Sequence, residues 1–131
     1  MRSVELDALI DEVGVVAASA QRHVAGGLFT YRCTIACRHC CFGCRTELPD
    51  TVMTPEQLAE VLAMLHETGR VVHVAGGEAM MYWENLSEGI RLAHAEGNAP
   101  YFIETNCSFA TDDRITESRL SFLADHGMRG V

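Results

Sequence analysis

Five of the chain's six cysteines, Cys33, Cys37, Cys40, Cys41 and Cys44, fall in one short segment. That crowding limits the fold more than any other feature, because thiols so close together share a loop and a common chemistry. The apolar N-terminal stretch is interrupted by Glu5, Asp7, Asp11 and Glu12, so it reads neither as a signal peptide nor as a membrane span, and a cytoplasmic location is expected. Outside a secretory context, six cysteines point to metal binding or redox chemistry rather than to a disulfide framework.

Cys33, Cys37 and Cys40 form a CxxxCxxC run directly after an apolar stretch. Thiolates at these offsets can wrap one cubane [4Fe–4S] cluster from a single loop. Clusters are normally held by four thiolates, so three leave one iron open to a substrate or cofactor. A structural zinc site is the competing reading, since Cys37-x-x-Cys40 and Cys41-x-x-Cys44 both have knuckle spacing. Four thiolates within eight residues would make a cramped cage, however, and no second ligand pair follows. Cys41 and Cys44 are expected to be loop residues, with a second metal left open.

Composition narrows the partners. A net charge of −8 over 131 residues offers no basic patch for nucleic acid or an anionic membrane. All ten basic residues are arginine, which excludes a P-loop lysine, a Schiff-base lysine and attachment of pyridoxal phosphate. The length allows one modest core.

Hydrophobic periodicity supplies the order of elements. Leu6, Leu9, Ile10, Val13 and Val16 predict an amphipathic helix over residues 4–21. Gly26-Gly27 is expected to break the pattern, giving an N-terminal helical segment over residues 1–26 and a main domain over 27–131 that opens with a strand at Leu28–Arg32. Thr54-Pro55-Glu56-Gln57 is a helix start, with threonine as cap, proline at the first position and glutamine completing a capping box. Leu58, Val61, Leu62 and Leu65 form the apolar stripe of that helix. Val71–Ala75 and Tyr101–Thr105 read as strands; Trp83, Leu86, Ile90 and Ala93 mark a second helix, and Leu120, Leu123 and Ala124 a third. Met128–Val131 looks like a fourth strand just beginning. This alternation implies parallel strands covered by helices, with functional loops at the strands' carboxyl ends. Three motifs lie there: the cysteine run, Gly76-Gly77-Glu78, and Thr105-Asn106-Cys107.

Taken together, these residues resemble the radical S-adenosylmethionine (SAM) superfamily. The similarity extends from Phe29 to Val131 and is closest to an uncharacterised group with a Tyr-Arg-Cys start and a Glu-Thr-Asn strand end. The resemblance implies a partial (β/α) barrel of the α/β class, here about three βα units of a half-barrel behind an N-terminal helix. It implies that Cys33, Cys37 and Cys40 hold the [4Fe–4S] cluster. Gly76, Gly77 and Glu78 would meet the methionyl end of SAM, with Glu78 accepting from its ammonium. Thr105 and Asn106 would line the SAM and substrate pocket, or else form a polar turn capping the strand. Two departures stand out: His39 precedes the third cysteine where another aromatic ring is usual, and Ala79 replaces a proline. The implied activity is reductive cleavage of SAM to a 5′-deoxyadenosyl radical acting on an unidentified substrate, with a reductant such as flavodoxin or ferredoxin as partner. A non-catalytic iron–sulfur or zinc module, or an electron carrier, is the alternative. Because the superfamily's barrel has further strands, the chain is expected to be a fragment of a longer protein, a truncated reading frame or half of a complex.

Overall fold

A computed structural model describes residues 3–131. Two helices come first, α1 (Val4–Val13) and α2 (Val15–Arg22), then β1 (Val24–Thr30), α3 (Pro55–His66), β2 (Val71–Gly76), α4 (Trp83–Ala95), β3 (Phe102–Ile103) and α5 (Asp113–Asp125). The strands form one parallel sheet in the order β1-β2-β3, so the fold is the partial (β/α) barrel expected of the α/β class.

Local chemistry explains the element boundaries. The capping box of α3 is complete: the Gln57 amide donates to Thr54 Oγ1 at 3.2 Å and the Thr54 amide donates to Gln57 Oε1 at 2.9 Å. Asp112 caps α5 from one side, its carboxylate accepting from the Ile115 amide at 2.8 Å. The single N-terminal helix expected over residues 4–21 is two helices, because Gly14 takes φ +82° and breaks the ladder between them. The first strand begins at Val24 rather than Leu28 and ends at Thr30, so the division expected between residues 26 and 27 falls inside β1. Gly26 is not a break. A Cβ there would lie 2.8 Å from the His73 ring on β2, so the strand needs glycine for close approach. The third strand contracts to Phe102–Ile103.

Each side of the sheet has its own core. On one side α3, α4 and α5 bury Leu58, Leu62, Leu86, Ile90 and Leu123 against Phe29, Val72, Val74 and Ile103. On the other, α1 and α2 set Leu6, Ile10 and Ala18 against Val71 and Tyr101. Each sheet edge carries an isolated bridge: Thr30 bridges antiparallel to Val52 beside β1, and Phe102 bridges parallel to Gly130, within the Met128–Val131 segment expected to begin a fourth strand. The Arg129 amide donates to the Tyr101 carbonyl at 2.6 Å, and the Arg129 guanidinium meets Asp11 of α1 at 3.0 Å.

Candidate functional site

The segment carrying the cysteines leaves the carboxyl end of β1 and returns to it. Arg32 and Arg45 form a parallel bridge, and the Cys33 amide donates to the Arg45 carbonyl at 3.2 Å. Within this closed loop the Cys40 amide bonds the Cys37 carbonyl, and the Gly43 amide bonds the Cys40 carbonyl, both at 3.2 Å. Cys33, Cys37, Cys40, Cys41 and Cys44 all line one cavity of about 360 Å³.

Gly76 and Gly77 form the opposite wall and are backbone-locked to the start of the cysteine loop. The Gly77 amide donates to the Thr30 carbonyl at 2.7 Å and the Glu78 amide to the Arg32 carbonyl at 3.0 Å. A Cβ on Gly77 would lie 1.9 Å from the Arg32 carbonyl oxygen, and one on Gly76 (φ +120°) 2.4 Å from that of Thr30. Only glycine lets β2 end flush against the loop.

Glu78 lines the same cavity but is 1 % exposed. Its Oε1 accepts from the Met80 amide at 3.0 Å and from Thr105 Oγ1 at 2.8 Å, while Oε2 accepts from the Asn106 amide at 2.7 Å. A carboxylate so engaged ties the end of β2 to the end of β3. Thr105 and Asn106 thus join the cavity wall, and Asn106 Nδ2 reaches Thr34 Oγ1 at 2.8 Å and Cys33 Sγ at 3.5 Å. The pair also forms a polar turn: the Cys107 amide bonds Thr105 Oγ1, and the Ser108 amide bonds Asn106 Oδ1, each at 3.0 Å. Cys107 itself is exposed with φ +62°.

The thiols differ in character. Backbone amides of Cys44 and then Phe42 around the Cys40 sulfur lower its pKa and favour the thiolate. Cys44 is buried, and burial, followed by the charge of the neighbouring Cys40, pushes its thiol up to about 11. Of the two, Cys40 is the one whose surroundings favour the thiolate.

Sequence reasoning passed over Glu104, which lines the cavity and accepts from His73 Nε2 at 3.1 Å. Period-two alternation from Phe102 puts Glu104 on the face of β3 that looks toward α1 and α2, where Phe102 stacks on His73 with ring centroids 4.5 Å apart. That spacing was the signal available.

Among the described residues, no three His, Cys, Asp or Glu side chains converge closely enough to hold one metal ion. What suits an iron–sulfur cluster is the donor set, soft thiols along one wall beside a glycine cradle. Nor, among the described residues, is any helix long and apolar enough to cross a membrane.

A parallel half-barrel with a thiol-lined cavity at the carboxyl ends of its strands is the class of molecule that these features define. The family model of the radical SAM superfamily matches residues 28–131, and the chain belongs to that superfamily. No curated protein and no solved structure matches it.

Proposed function

We propose that Cys33, Cys37 and Cys40 hold a [4Fe–4S] cluster and that SAM binds beside it in the 360 Å³ cavity. The observation that carries this reading is the meeting of three motifs, distant in sequence, around that one cavity. When bound, cluster and SAM supply a reductive cleavage whose 5′-deoxyadenosyl radical removes hydrogen from a substrate. The residues of the chain bind and orient. Gly76 and Gly77 let β2 end flush against the cysteine loop, so that this turn lies at the cavity wall for the methionyl end, and Glu78 fixes Met80, Thr105 and Asn106. Among the described residues neither lysine nor arginine lines the cavity, so thiolates and Glu104 give it a negative field suited to a sulfonium and an ammonium. A low-potential one-electron donor of the flavodoxin or ferredoxin kind would serve as partner.

Anaerobic reconstitution with iron and sulfide tests the proposal. About four irons per chain are expected, as one cubane requires. Loading should be lost in Cys33→Ala, Cys37→Ala and Cys40→Ala and retained in Cys44→Ala. Stoichiometric zinc without sulfide, together with failure to take up the cluster, would establish the zinc module instead.

A further inference from the structure

Asn106 is joined to the cysteine loop by contacts that the reading above does not use. Its amide polarity is fixed. Oδ1 accepts from the Ser108 amide at 3.0 Å, so Nδ2 faces Thr34 Oγ1 at 2.8 Å and Cys33 Sγ at 3.5 Å. Reversing the amide would set its NH2 against the Ser108 N–H and leave the Cys33 sulfur facing an oxygen, so the network selects the orientation seen. The backbone is fixed as well, because the Asn106 amide donates at 2.7 Å to the buried Glu78 carboxylate. Two strand ends thus converge to aim one N–H at one sulfur.

We propose that Asn106 is a positioning residue for the cluster, donating an N–H···S hydrogen bond to Cys33 that fixes this ligand and sets the cluster's reduction potential. The inference rests on the cluster assignment above. Hydrogen bonds to cluster sulfurs withdraw electron density and raise the potential, and partners of metal ligands orient them. Cys33 would then differ from Cys40, whose sulfur accepts at 3.3 Å from a backbone amide of its own loop, that of Cys44. The Cys33 bond comes instead from the segment after β3, so it ties the cysteine loop to that strand end, and Glu78 bears on Cys33 through Asn106 as well as through its own amide bond to the Arg32 carbonyl.

The test compares the reconstituted parent with Asn106→Asp and Asn106→Ala. Aspartate has the same shape, still accepts from the Ser108 amide and can accept from the Thr34 hydroxyl once that hydroxyl turns to donate, so the bond to sulfur is lost and a like charge replaces it. Both variants should take up iron as the parent does, and Asn106→Asp should melt at the parent's temperature. The cluster midpoint potential should fall in Asn106→Ala and fall further in Asn106→Asp. Parent protein labelled with 15N in the asparagine side chains should show coupling between the reduced cluster and a side-chain nitrogen, absent in Asn106→Asp; this readout does not depend on how a variant folds. Unchanged potentials with no 15N coupling in a loaded parent would overturn the inference and leave the cluster assignment standing. A parent that takes up no cluster at all would overturn both.

Discussion

The two ends of the sheet are held together by different physics. At the carboxyl ends, β1, β2 and β3 are joined by backbone hydrogen bonds, a glycine–carbonyl contact and the buried Glu78 carboxylate with its three donors. Toward the amino ends, α1 and α2 lie on the sheet through apolar burial of Leu6, Ile10 and Ala18 against Val71 and Tyr101. Directional polar contacts fix positions to tenths of an ångström and fail abruptly when one partner is removed. Apolar burial is non-directional and loses stability in proportion to what is taken away. The contrast teaches that the site end is specified by geometry and the helix-covered end by volume.

Substitution at Gly77 should have the largest effect. Gly77→Val drives a side chain into the Arg32 backbone carbonyl, where neither strand end has a flexible group to yield. A loss above about 4 kcal/mol is expected, at the extreme of single substitutions. Chemical denaturation and iron uptake should fail together. A folded, loaded Gly77→Val protein would show that the site end tolerates slack and would break the comparison.

Ile10→Ala should cost about 3 kcal/mol through the cavity it opens under α1. Iron content and cluster spectra of the protein that remains folded should match the parent's. If a change in the helical cover altered the spectra, the two ends would be coupled through the sheet rather than independent.

The smallest effect concerns His73, which lies between the two ends. Burial lowers its pKa more than Glu104 and the Ala25 backbone raise it, so the native ring favours the neutral form. The unfolded chain takes up that proton near the ordinary value of about 6.5. As pH falls through that value, the unfolded state gains a proton that the native state does not hold, and stability drops until the lower native pKa is reached. His73→Gln should flatten this part of the profile, read as melting temperature against pH from about 8 down to about 5. An unchanged slope would assign the acid sensitivity to other groups.

Much of the architecture was legible because it is written in local chemistry. The Thr54–Gln57 capping box and the apolar stripes of α3 and α4 give the same answer in sequence and in structure, since each involves residues within a few turns of one another. The parallel direction of the strands followed from the alternation of elements. The meeting of the three motifs in one cavity followed from the rule that strand carboxyl ends carry the loops.

Tertiary structure decided what depends on partners far along the chain. Gly26 looked like a break and lies inside a strand, because the residue that needs the space is His73 on a neighbouring strand. Glu78, expected to meet the methionyl end of SAM, lines the cavity at 1 % exposure and also ties strand ends together, because its donors at Thr105 and Asn106 come from the next βα unit. Asn106 meets Cys33 across 73 positions of chain. Residue types and their spacing determined which chemistry the chain can hold, since thiol, glycine and carboxylate carry their properties with them. Which of those groups face the cavity and which brace it was set by packing, because burial and hydrogen-bond saturation are properties of the assembled sheet.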